Sequence, residues 1–111
     1  MPVFITQGRF THDAIKGMLA SPEDRAEAVG QLIAKAGGKL LGYYMTFGEY
    51  DFLLISEGPA DHAATPLIIA AASGGVTDLK TSLAMTSSEM KQAFERAGQL
   101  GATFKAPGMK V

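Results

Sequence analysis

Apolar and polar positions alternate along Val3–Phe10. Val3, Ile5, Gln7 and Arg9 fall on one side, and Phe4, Thr6, Gly8 and Phe10 on the other. A period of about two predicts a strand, and the large apolar groups on both sides predict that both faces are covered. Thr11 then offers an N-cap, with Asp13 in the first turn of a short helix that carries Ile15, Met18 and Leu19 to about Ala20. Ser21-Pro22-Glu23-Asp24 reads as a second helix start: a capping serine, proline at the first helical position, and two carboxylates at the positive end of the dipole. Ala26, Val29, Ile33 and Ala36 follow at helical spacing, widened by Leu32, and Gly37-Gly38 supplies a left-handed cap.

The pattern returns to strand spacing at Lys39–Phe47, with Leu41, Tyr43 and Met45 opposite Leu40, Tyr44 and Thr46. A turn at Phe47-Gly48-Glu49 leads into Tyr50–Glu57, where Phe52 and Leu54 oppose Leu53 and Ile55. Two strands joined so closely predict an antiparallel hairpin. Gly58-Pro59 ends the run. Ala60–Ser73 is helical by composition, with a restart or kink expected at Thr65-Pro66, because proline inside a helix removes a backbone bond and crowds the preceding turn. Gly74-Gly75 closes that helix. Val76–Thr86 reads as a fourth strand, with Leu79, Leu83 and Met85 opposite Asp78, Lys80 and Ser82. Thr86-Ser87-Ser88-Glu89 matches a capping box, and the helix it opens carries Met90, Ala93, Phe94 and Ala97 on one face. Residues 102–111 lack periodicity and read as a tail, frayed or laid across a neighbour, behind a single domain spanning residues 1–101.

Strand, helix, strand, strand, helix, strand, helix is the α+β, ferredoxin-like βαββαβ(α) plan, a four-stranded antiparallel sheet with its crossover helices on one face. Apolar side chains on the other face then call for a cover. A second copy packed sheet to sheet is the simplest. Composition sharpens that expectation. The chain has 111 residues, 47% hydrophobic and 19% charged, which is apolar for a small domain with much surface to cover. Ten Lys+Arg against eleven Asp+Glu, a net charge of −1, leave no basic stripe for nucleic acid. No apolar stretch is long enough to span a bilayer, and the first residues have no charged n-region or long apolar run. A cytoplasmic protein without membrane or nucleic-acid partners is expected.

Candidate chemistry is sparse. Asp51 stands at the start of a strand that is apolar on both faces, where a carboxylate is costly unless paired. It either orients a ligand or acts as a base, or it accepts backbone N–H groups and fixes the hairpin. His12 is a proton carrier between helix and sheet, or a plain first-turn residue, and His62 reads in the same way. Tyr43 and Tyr44 lie on opposite faces of their strand. Arg9, Thr6, Gln7, Lys80 and Thr81 are polar groups on apolar strands; convergence of several would line a pocket for an anionic or carbonyl-bearing ligand. The ligand-lining candidates are therefore Arg9, Tyr43, Tyr44, Tyr50, Asp51 and Thr81, and the catalytic candidates Asp51 and His12. No cysteine and no histidine pair at close spacing means that no metal site is expected, and no cofactor. Neither a phosphate loop nor a Gly-x-Ser-x-Gly motif is present.

Gly48-Glu49-Tyr50-Asp51, followed by the apolar strand and Glu57-Gly58-Pro59, resembles the GYD domain family, with Gly48, Tyr50 and Asp51 as its motif residues. Gly8-Arg9-Phe10-Thr11, Gly37-Gly38-Lys39-Leu40 and Gly75-Val76 fit the same pattern, so the resemblance covers roughly residues 2–97, weakest at Pro66 and in the tail. It implies a dimeric α+β barrel whose partner is itself, as homodimer or higher, binding a small apolar or anionic ligand or serving as an assembly module. Two alternatives come with it. One is a cofactor-independent small enzyme resembling the antibiotic-biosynthesis-type monooxygenases. The other is a stand-alone effector sensor resembling the amino-acid-binding module of leucine-responsive-type regulators.

Overall fold

The computed structural model describes residues 2–108. Its elements are β1 (Val3–Phe10), α1 (His12–Ala20), α2 (Ala26–Lys35), β2 (Lys39–Met45), β3 (Phe52–Glu57), α3 (Asp61–Ala72), β4 (Val76–Ala84) and α4 (Ser87–Gly101). The strands form one antiparallel sheet in the order β2-β3-β1-β4. This is the ferredoxin-like α+β arrangement that the order of hydrophobic runs predicts. Residues 109–111 of the expected tail lie outside the described residues.

Pairing assigns the two faces. Phe4, Thr6 and Gly8 stand opposite Ser56, Leu54 and Phe52, and Tyr43 is also opposite Leu54. This row faces α2 and α3. Val3, Ile5 and Gln7 share the other face with Glu57, Ile55 and Leu53, and Tyr44 stands opposite Leu53. On the helix side Phe52 lies directly over Gly8: a Cβ built there would come within 2.7 Å of the Phe52 ring and 2.8 Å of Leu79. The Phe52 ring sits 5.1 Å from that of Phe10 and 6.3 Å from that of Tyr43, and with Ile33 it makes the buried apolar centre.

Five local expectations are corrected. Ser21 does not open α2; its N–H donates to the Gly17 carbonyl at 2.9 Å and closes α1. The proline after it disfavours helical geometry at Ser21, whose ψ is 77°. Instead α2 starts after Arg25, whose side chain makes no cap bond, and Asp24 just ahead of it accepts the Ala26 N–H on Oδ1 at 2.9 Å. In β2 the register shifts between Leu40 and Gly42. The extra residue, Leu41, leaves the row of Tyr43, and Leu40 joins it instead; β2 also stops at Met45 rather than Phe47. β3 begins at Phe52, so Tyr50 and Asp51 belong to the turn. There the Thr46 N–H donates to the Asp51 carbonyl at 2.9 Å and the Thr46 hydroxyl to the Tyr50 carbonyl at 2.7 Å. α3 runs unbroken through a buried Pro66, although the His62 carbonyl loses its usual amide partner. Finally, β4 ends at Ala84 and carries a bulge facing Gln7–Arg9, where Asp78 takes a left-handed φ of 53°.

Thr11 performs as expected: its hydroxyl oxygen accepts the Ala14 N–H at 3.2 Å, while its hydroxyl and N–H donate to the carbonyls of Gly74 and Gly75 at 2.7 and 3.0 Å. The capping box also forms, with Glu89 N–H to Thr86 Oγ1 at 3.1 Å and Thr86 N–H to Glu89 Oε1 at 3.0 Å. Yet every residue of α4 is exposed. The chain is 65 Å long in one direction and has a radius of gyration of 18.6 Å, against about 13 Å for a compact chain of this length. Its accessible surface is 7989 Å², whereas a monomer of this mass exposes about 5,900 Å².

Candidate functional site

The most buried side chain is polar. His62, in the first turn of α3, is 1% exposed. The seat is built from both sides. Gly58, at φ 151°, turns the chain from β3 toward α3, and Gly38 opens β2 beside it. A Cβ on Gly58 would meet the Gly38 Cα at 2.8 Å and the imidazole at 2.9 Å, and one on Gly38 would run into the ring itself. The Phe4 ring meets the imidazole edge-on at 5.3 Å. Nδ1 bonds the Pro59 carbonyl, and Nε2 lies 3.1 Å from the Ser56 hydroxyl. A carbonyl only accepts, so Nδ1–H is the donor; in the neutral ring Nε2 then accepts from the Ser56 O–H. The Ser56 oxygen keeps lone pairs of its own.

Ser56 and His62 form the polar end of a cavity of about 100 Å³ between the sheet and helices α2 and α3. The rest of its wall is mostly apolar and includes Ile33, Phe52, Leu54, Pro66 and Leu67. A wider cleft of about 400 Å³ lies beside it, between α1, α2 and α3, reaching Met18, Arg25 and Ile69. Phe10, Val29, Leu32, Tyr43, Ala70 and Val76 line both spaces, so the two adjoin. Burial pushes the Tyr43 phenol above its usual range; Asp24 adds to that rise and Arg25 opposes it.

Sequence reasoning placed His62 in a first turn, as a proton carrier or a plain polar residue; the structure keeps it in the first turn of α3 and buries its side chain. The available signals were the glycines at 38 and 58 and the lone serine in the row of Phe52 and Leu54. The predicted candidates separate into different places. Tyr43 faces the cavity. Thr81 lies on the same face of the sheet, where its hydroxyl meets that of Thr6 at 2.9 Å. Arg9 lies on the open face, its guanidinium 5.7 Å from the Tyr50 ring centre. Its Nε donates to the Glu49 carbonyl at 2.7 Å, with Asp78 at 3.8 Å. Tyr44 projects from the open face and is largely exposed. His12 is exposed at the start of α1. Asp51 continues where β3 leaves off: its Oδ2 accepts the Phe10 N–H at 2.9 Å, and its own N–H donates to the Gly8 carbonyl at 2.8 Å. Gly48 is an exposed turn residue.

Among the described residues no group of three or more His, Asp or Glu side chains is placed to hold a metal, and no helix is long and apolar enough to cross a membrane. No curated protein matches the chain. Among solved structures, FFRP-DM1 is similar over 77% of this chain and 100% of its own, at 15% identity and a TM-score of 0.44. TTHA0845 from Thermus thermophilus is similar over 78% of this chain and 96% of its own, at 21% identity and a TM-score of 0.41. The GYD domain model matches residues 4–94, from β1 into α4. With the Gly48, Tyr50 and Asp51 turn inside that span, the chain belongs to the GYD domain family.

Proposed function

We propose that this protein is a homodimeric α+β barrel that carries a small, mostly apolar molecule between its helices and sheet. The observation behind the ligand is the cavity: an apolar pocket of about 100 Å³ that ends on Ser56 and His62. Empty apolar cavities of about 150 Å³ bind benzene, so the space suits a ring-sized group, with room toward the cleft for a substituent. With its proton engaged by His62, the Ser56 oxygen is an acceptor. It favours a ligand carrying one hydrogen-bond donor. The observation behind the dimer is the open face, where Val3, Ile5, Leu53 and Ile55 have no helix over them. The surface exceeds that of a compact monomer by about 2,000 Å² per chain, the scale of an obligate interface.

A monooxygenase-like reading centred on Asp51 and His12 has less support, since neither lines the cavity and the Asp51 carboxylate is occupied by the Phe10 N–H. Thermal unfolding with benzene, phenol and free amino acids as probes tests the proposal. Phenol is expected to raise Tm more than benzene, and Ser56→Ala to abolish the difference. No shift with either aromatic probe at millimolar concentration overturns the ligand reading. A response to amino acids alone favours the sensor alternative.

A further inference from the structure

Helix α4 is well made and unused. Its start is fixed by the reciprocal Thr86–Glu89 cap, and Lys91 and Glu95 pair across one turn at 3.4 Å. Met90, Ala93, Phe94, Ala97 and Leu100 recur at helical spacing and form one apolar stripe. Every one of them is exposed, Phe94 by 71%. An amphipathic helix gains its stability chiefly by burying such a stripe.

Among the described residues α4 packs along no other element of its own chain. The charges narrow the occupant further. Glu89 and Glu95 balance Lys91 and Arg96 on α4. Binding to an anionic membrane or to nucleic acid calls for an excess of Lys and Arg on the polar face. What remains is an apolar protein surface. This chain exposes such apolar side chains, Leu19, Ile68, Leu83 and Met85, on its own body.

We infer that α4 is an exchanged arm, whose Met90–Phe94–Ala97 stripe packs on a second copy of this chain rather than on its own domain. The surface in excess of a compact monomer, about 2,000 Å² per chain, is more than a standard interface takes from each partner, about 800 Å². The open sheet face and the arm together account for such an excess. The inference goes beyond the sheet-to-sheet dimer and stands apart from it: the arm adds a second contact between the same two chains.

Photo-crosslinking in the full-length chain tests it. With p-benzoylphenylalanine in place of Phe94, irradiation is expected to give a covalent dimer on a denaturing gel. The same probe in place of Gln99, on the opposite side of the helix, is expected to leave a monomer band. Phe94→Asp is expected to keep native circular dichroism at high concentration while raising the dimer dissociation constant at least tenfold. Intramolecular adducts only, equal crosslinking at both positions, or an unchanged dissociation constant in Phe94→Asp overturns the arm. Ile55→Asp separates the two contacts: if it splits the dimer while Phe94→Asp does not, the sheet seam stands and the arm falls.

Discussion

Asp51 offers the sharpest test of how the family's turn works. Its Oδ2 accepts the Phe10 N–H at 2.9 Å, beyond the last β1–β3 residue pair, Gly8 with Phe52. The carboxylate thus extends the ladder by one bond past the end of β3. Asp51→Ala removes that acceptor while sparing the backbone bonds of residue 51 to Gly8 and Thr46. Leaving a partly buried N–H unpaired costs about 1–3 kcal/mol. Asp51→Asn keeps an oxygen at the same reach and is expected to lose less than half as much. Urea unfolding followed by circular dichroism, at one fixed protein concentration, measures both. For a chain of this size the alanine variant should melt several degrees lower, about 4–8 °C per kcal/mol. A wild-type midpoint for Asp51→Ala, or equal losses for both variants, refutes the strand-extension role.

Other consequences follow from the same geometry. Gly38→Ala drives a methyl into the His62 ring and toward the Glu57 carbonyl, 3.0 Å away, so it should cost about 1–3 kcal/mol by overpacking. Adding His62→Ala should recover part of that loss, and purely additive losses in the denaturant double-mutant cycle contradict the seat described for His62. The Tyr43 phenol is held above its usual range by burial. The stability tied to its neutral form is complete below the ordinary tyrosine pKa near 10 and fades as pH rises through the higher folded value, so Tyr43→Phe should flatten the alkaline limb of a Tm-versus-pH profile. The Thr86 N–H, and next the Thr86 side chain, hold the Glu89 carboxyl below the usual carboxylate range. That contribution is present above the unfolded carboxyl pKa and is lost as pH falls through the lower folded value; Glu89→Gln should remove this pH dependence from the helical circular dichroism signal. Thr86→Ala should weaken α4 by about 1 kcal/mol, read as a loss of helicity at neutral pH.

The order of elements was legible because each rests on neighbours in sequence. The alternation in Val3–Phe10, the cap at Thr11 and the box at Thr86 and Glu89 need only a few residues to be read, and all three form as expected. Errors arose where a distant segment decides. Leu41 looks like a regular strand position, but pairing with β3 pushes it out as a bulge. Tyr50 and Asp51 carry strand-like spacing, yet β1 takes the Asp51 side chain and amide for its own edge. Ser21-Pro22 fits the end of one helix as well as the start of the next, and the local signal does not choose. The candidate site was the least visible part. His62 is buried by Gly38, Gly58 and Phe4, the last of them from the first strand, and the pattern around His62 alone is that of an ordinary first turn.

Whether the open sheet is a seam between two copies is measured most directly by sedimentation equilibrium of the unmodified chain across micromolar concentrations. The predicted result is a folded species of twice the 11.7 kDa chain mass, with loss of structure accompanying any dissociation on dilution. A folded, stable 11.7 kDa monomer throughout that range contradicts it.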